Sequence, residues 1–221
     1  MDIEPSGTFV GDLVNIHLEK KLAVWLFPRT GSMLFAKVFQ DSGFQCYSYK
    51  NNVGEIYQKK LFHHHHFYIF PEINNFDLIL TVRNPYSLLV SFFYMNNEVK
   101  EIKNIKSEFK EFLEREVYSN PRIDNILNNL NYVEVKYPLR LENLVEDYWN
   151  LPIIGESSYF KSNSLVDLIN SKYNKSSSNL TKLPISEFYN SSSADLVFYT
   201  FSNYFNIFGY DKNSWNYYGK I

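Results

Sequence analysis

Apolar positions along this chain fall into short continuous runs that alternate with longer stretches of helical spacing. Lys21 to Phe27 (KLAVWLF) is an apolar run containing Val and Trp and ended by Pro28, which predicts a buried strand. Beyond Gly31, the residues Met33, Leu34, Phe35, Val38 and Phe39 recur at helical spacing until Asp41-Ser42-Gly43 closes the segment. The pattern repeats downstream. Phe76 to Val82 (FDLILTV) predicts a second buried strand, Arg83-Asn84-Pro85 breaks it, and Leu89, Val90, Phe93 and Tyr94 restore helical periodicity over Tyr86 to Tyr94. Ile102 to Val117 reads as a charged amphipathic helix, Tyr132 to Tyr137 (YVEVKY) as an alternating strand, and Arg140 to Asn150 as a turn into a helix. Ala194 to Phe208 predicts a final helix ended by Gly209. Residues 159–193 are rich in Ser, Asn and Lys with weak periodicity, which predicts loops and short helices, a candidate acceptor-side flap.

Strands that alternate with helices predict an α/β fold built on a central, mainly parallel sheet. Such sheets bind ligands at the carboxyl ends of their strands, where both strand-to-helix loops lie. The 221 residues fit a single domain, with a core over about 22–211, and 45% apolar residues suffice for a sizeable core. A net charge of −2 supplies no global positive field for nucleic acid, so any anion site has to be built locally. The lone Cys46 excludes a disulfide framework and makes a reduced compartment the simpler reading. Met1 to Gly11 lacks a basic region followed by an apolar run, and no stretch approaches the roughly 20 apolar residues of a membrane span. A cytoplasmic protein is the resulting expectation. The sequons at Asn174, Asn179 and Asn190 then read as accidents of an Asn/Ser-rich composition.

The first loop, Pro28-Arg29-Thr30-Gly31-Ser32, sits between a predicted strand and helix. Glycine permits close approach of backbone to an anion, the helix start offers N–H groups and a partial positive charge, and Arg29, Thr30 and Ser32 add donors. An ordinary capped turn would carry the same residues. The G-x-x-x-x-G-K-[ST] pattern of triphosphate-binding loops is absent from it, which disfavours a kinase. The second loop places Arg83 at the end of a strand and Ser91 eight residues later, about two helical turns on, where both can reach one phosphate. Alternatively Arg83 pairs with a carboxylate and Ser91 only packs.

Taken together, WLFPRTGSMLFAKVF resembles the 5′-phosphosulfate loop of the sulfotransferases that use 3′-phosphoadenosine 5′-phosphosulfate (PAPS), and LILTVRNPYSLLVSFFY resembles their 3′-phosphate segment. Weaker likeness continues through YPLRLENLV (Tyr137 to Val145) and the tail Ser192 to Asp211, which is similar to the C-terminal helix of the carbohydrate branch. The resemblance implies a P-loop-like three-layer fold flanked by helices. It also implies sulfuryl transfer from PAPS to a carbohydrate or glycan hydroxyl, with 3′-phosphoadenosine 5′-phosphate (PAP) as product and no metal. Arg29, Thr30, Gly31 and Ser32 would hold the 5′-phosphosulfate, Arg29 also stabilising charge during transfer. Arg83 and Ser91 would hold the 3′-phosphate. Met33 departs from the cytosolic members, which carry a second hydroxyl there, and Glu142 reads as structural.

In-line transfer to an alcohol needs a base, and a histidine suits that work near neutral pH. His63-His64-His65-His66 follows the first strand-helix unit, and in several branches of the family a histidine serves in this region. If the run is extended, His64 and His66 share a face, and that pair is the expected base. A metal-binding tract is the competing reading, although no Cys, Asp or Glu lies within the run. Glu55 and Glu72 are the alternative bases. A tyrosine or small-alcohol acceptor, or a nucleotide-binding module without catalysis, are the alternative functions. Most of the 18 Tyr and 19 Phe residues read as core, among them Phe35, Phe39, Phe92, Phe93, Tyr199, Phe205 and Phe208. Tyr159, Phe160 and Tyr189 fall in loops and are the candidate acceptor contacts.

Overall fold

A computed structural model describes residues 13–50, 55–59, 71–96, 105–119, 121–153 and 183–217. Among the described residues six strands form one sheet: β1 (Leu13–His17), β2 (Leu22–Trp25), β3 (Gln45–Lys50), β4 (Glu55–Lys59), β5 (Asp77–Val82) and β6 (Val135–Arg140), in the order β4-β3-β1-β2-β5-β6. The described helices are α1 (Ser32–Asp41), α2 (Pro85–Asn96), α3 (Ile105–Ser119), α4 (Pro121–Asn129), α5 (Leu144–Trp149), α6 (Ser191–Thr200) and α7 (Ser202–Phe208).

Alternation along β2 explains how the sheet is covered on both faces. Leu22 and Val24 point to one side, with Ile79, Leu139, the α1 residues Phe35, Val38 and Phe39, and the α5 residues Leu144 and Tyr148. Ala23 and Trp25 point to the other, with Leu78, Leu80 and Val82 of β5 and the apolar faces of α2, α3, α4, α6 and α7. Helices therefore flank the sheet on both faces, and the expected α/β class holds. On the larger side, Phe93 stands edge-on to Phe109 and Phe112 at 5.3 Å each, and Phe109 meets Phe188 at 5.4 Å. Edge-to-face pairs of this kind add about 0.5–1.5 kcal/mol each beyond the area they bury.

The expectation of a mainly parallel sheet needs correction. β2 pairs with β5, and β5 with β6, in parallel, but β1 pairs antiparallel with both β2 and β3, and β3 with β4. The sheet is mixed, with a parallel half and an antiparallel half. The antiparallel strands are short and carry polar residues at alternate positions (LVNIH, QCYSYK, EIYQK), so they lack the continuous apolar signature of a strand buried on both faces. Helix α4 also goes beyond the sequence reading. Its Asn-rich segment carries few apolar residues, but they fall on one face, and Ile123, Ile126 and the following Leu130 are buried.

Three further expectations are corrected. β6 begins at Val135 and includes Pro138, shifted from the predicted 132–137; proline is tolerated because β6 is an edge strand. Tyr199, placed with the core from sequence, is 68% exposed. Tyr189, placed among the acceptor contacts, is buried and its hydroxyl donates to the Tyr86 carbonyl at 3.0 Å. Phe35, Phe39, Phe92, Phe93, Phe205 and Phe208 are core residues as expected. Tyr159, Phe160 and most of the loop-rich 159–193 region lie outside the described residues.

Among the described residues, no helix is long and apolar enough to cross a membrane.

Candidate functional site

Parallel pairing decides where the chemistry collects. β2, β5 and β6 run the same way, so the loops that leave them emerge on one edge of the sheet. These loops carry Arg29, Arg83 and Glu142 respectively.

The loop after β2 is held from beneath. The Thr81 hydroxyl of β5 accepts from the Phe27 N–H at 2.9 Å and lies 2.6 Å from the Thr30 hydroxyl, which donates to the Phe27 carbonyl at 2.6 Å. Thr30 is fully buried. Its side chain, expected to be a hydroxyl donor to an anion, is here spent fastening the loop to β5. Arg29 and Gly31 both adopt left-handed backbone, at φ 66 and 79. For Gly31 this costs little, whereas a non-glycine residue there is uncommon and strained. α1 starts at Ser32, itself buried, and no side chain of its N-cap residue Gly31 caps it. The first turn of a helix carries N–H groups and a partial positive charge that favour an anion.

The loop after β5 is fastened differently. Asn84 caps α2, accepting from the Tyr86 N–H at 3.0 Å, and its amide donates to Ser214 Oγ at 2.8 Å. Pro85 at the first helical position lacks the N–H that would have no partner there. The Tyr204 hydroxyl accepts from the Arg83 N–H at 3.2 Å. The Tyr86 hydroxyl donates to the Lys212 carbonyl at 2.7 Å. The C-terminal segment is thus bound onto this loop from the far side.

The structure brings the predicted cations together. Arg83 Nη1 donates to the Arg29 carbonyl at 3.1 Å, and Arg29 Nε donates to Ser91 Oγ at 2.9 Å. Arg83 Nε donates to Ser87 Oγ at 2.7 Å, one helical turn before Ser91. The two loops, read from sequence as separate anion sites, are contiguous. Arg83 is 9% exposed, Ser91 4%. Among the described residues neither Arg29 nor Arg83 takes part in an ion pair. Burial pushes the Arg83 guanidinium down to about 10, the Glu142 carboxylate opposes that shift, and the neighbouring Arg29 adds to it. Burial also lowers Arg29. A buried guanidinium beside a part-buried one, with no ion pair to either among the described residues, is costly unless an anion is bound.

Two residues of the cluster escaped the sequence reading as site residues. Ser87 lies four positions after Arg83, and that helical spacing was the available signal. Glu142, read as structural, accepts from the Asn84 N–H at 2.9 Å and from the Tyr210 hydroxyl at 3.0 Å. The Ser87 hydroxyl lies 3.5 Å from the same carboxylate. Close by, Asp147 accepts from the Arg140 N–H, Nε and Nη2 at 2.8, 2.9 and 2.6 Å, which fixes the turn that carries Glu142.

The histidine run that contains His64 and His66 lies outside the described residues. Glu55 opens β4 and Glu72 falls in a 3-10 turn over Pro71–Asn75; their backbone alone is described. Among the described residues no cluster of His, Cys, Asp and Glu fit for a metal occurs.

Comparison of the chain with family models, curated proteins and solved structures gives no match.

Proposed function

We propose that this chain is a PAPS-dependent sulfotransferase that moves a sulfuryl group from PAPS to a hydroxyl of a carbohydrate or glycan acceptor, on a P-loop-like fold. The observation that carries this reading is the pair Arg29 and Arg83. They come from the loops after two adjacent parallel strands, touch through the Arg29 carbonyl, and lack an ion-pair partner among the described residues. Among the described residues Arg83 uses Nε and Nη1, which leaves its Nη2 corner for a ligand oxygen. Arg29 uses only Nε. Two arginines on two strand-to-helix loops suit a nucleotide phosphorylated at both ends of its ribose better than a triphosphate chain, for which the lysine-bearing loop is missing.

Arg29 and the backbone of Thr30, Gly31 and Ser32 would hold the 5′-phosphosulfate, and Arg83 with Ser91 the 3′-phosphate. PAPS would supply the activated sulfuryl group. Arg29, fixed by its strained backbone and by Ser91, is placed to stabilise negative charge at the leaving phosphate. His64 and His66 are the proposed base, and replacing both tests that role: sulfate transfer at the wild-type rate would remove them from the mechanism.

Calorimetry with PAP beside ATP, without magnesium, tests the donor site. PAP should bind and ATP should bind at least tenfold more weakly. Arg83→Ala should cost about 2 kcal/mol or more of PAP binding, about thirtyfold, because it removes a buried charge from the phosphate. Equal binding of ATP and PAP, or none of either, would sink the assignment.

A further inference from the structure

Arg83 can serve a ligand only if its guanidinium is aimed without being consumed by a carboxylate. The structure meets that requirement at one remove. Arg83 Nε donates to Ser87 Oγ at 2.7 Å, and the Ser87 hydroxyl faces Glu142 Oε1 at 3.5 Å. The same oxygen accepts from the Asn84 N–H at 2.9 Å, directly after Arg83, while Oε2 is taken by the Tyr210 hydroxyl at 3.0 Å. Glu142 makes no ion pair with Arg83. Its carboxylate therefore grips the backbone beside Arg83 and the hydroxyl beneath it, and leaves the outer corner of the guanidinium alone.

We infer that Glu142 is a positioning residue that, through Ser87 and the Asn84 N–H, aims Arg83 at the 3′-phosphate of the nucleotide. This rests on the donor assignment made above. It carries a counter-intuitive sign. A carboxylate this near an anion site repels the ligand, so on Coulomb grounds alone its removal should tighten binding. As a positioning device, its removal should weaken binding, and only for ligands that carry a 3′-phosphate.

Calorimetry with PAP and with adenosine 5′-monophosphate, which lacks the 3′-phosphate, separates these effects. Glu142→Ala should weaken PAP about tenfold, the usual scale for losing hydrogen bonds to a charged group, and change adenosine 5′-monophosphate by less than about twofold. Glu142→Gln keeps an oxygen to accept from Asn84 and should stay within about threefold of wild type for PAP. Ser87→Ala, a mild change within a helix, should show the same selective loss and carries the test if Glu142→Ala does not fold. PAP binding by Glu142→Ala at or above wild-type affinity overturns the inference. So does equal loss of both ligands, a Glu142→Gln variant as weak as Glu142→Ala, or a Ser87→Ala variant with wild-type PAP affinity. Wild-type protein that binds PAP no better than adenosine 5′-monophosphate fails earlier, at the donor assignment itself, and takes this inference with it.

Discussion

Thr81→Val is the most direct test of how the loop after β2 is held. Valine keeps the shape of threonine and removes only the hydroxyl. That oxygen accepts from the Phe27 N–H at 2.9 Å and lies 2.6 Å from the Thr30 hydroxyl, while Phe27 and Thr30 are fully buried. Thr30 keeps its bond to the Phe27 carbonyl. The Phe27 N–H loses its acceptor in a fully buried setting, and an orphaned buried donor costs about 1–3 kcal/mol. A loss of about 2 kcal/mol follows, which for a domain of this size lowers the melting temperature by about 4–8 °C. Urea denaturation and thermal melting should both report it, with an unchanged urea slope. Thr81→Ser, which keeps the oxygen and loses one methyl, is the control and should cost no more than about 1 kcal/mol. A Thr81→Val protein within about 0.5 kcal/mol of wild type, or no less stable than Thr81→Ser, would refute the reasoning.

Gly31→Ala should destabilise by about 1–2 kcal/mol, because Gly31 sits at φ 79 and an added Cβ would stand 3.4 Å from Leu141 Cδ1; differential melting measures it. Asp147→Ala should cost about 2 kcal/mol in urea denaturation, less than the 3–5 kcal/mol or so of a fully buried pair, because the Arg140 side chain is 31% exposed. Alkaline pH should unfold the protein. Burial raises Tyr86, Tyr148, Tyr189 and Tyr204 well above their ordinary value and pushes Tyr94 up to about 12. A raised folded value favours the neutral phenol in the native state. Its stabilisation is complete below the ordinary value near 10 and is lost as pH climbs toward 12, so urea midpoints should fall steeply across that window. A flat midpoint between pH 10 and 12 would contradict the burial of these rings.

Legibility from sequence followed the strength of the local signal. β2 with α1, and β5 with α2, were readable because a strand buried on both faces needs a continuous apolar run, and Pro28, Gly31 and Pro85 punctuate the ends. β1, β3 and β4 were not, because short strands with polar alternation look like loop until a neighbour supplies their hydrogen bonds. The final helix was read as one element. It is two, interrupted at Phe201, where ψ turns to 18 and neither glycine nor proline marks the break.

Within the site the division is sharper. Residue type and spacing singled out Arg29, Gly31, Ser32, Arg83 and Ser91, because local chemistry at a strand-to-helix turn depends on neighbours in sequence. Which way each hydroxyl points depends on neighbours in space. Thr30 and Ser32 look equivalent in the sequence, yet the parallel register of β2 and β5 puts Thr81 under Thr30 and turns that hydroxyl inward. Ser91 lies 62 residues from Arg29, and only the sheet brings them to 2.9 Å. Glu142 gains its place the same way, since β6 beside β5 carries it under the Arg83 loop. The sequence by itself determined that two strand-to-helix loops rich in arginine and hydroxyl side chains exist. The tertiary structure alone decided that they form one cluster, because long-range strand pairing, which no local pattern encodes, sets which edges meet.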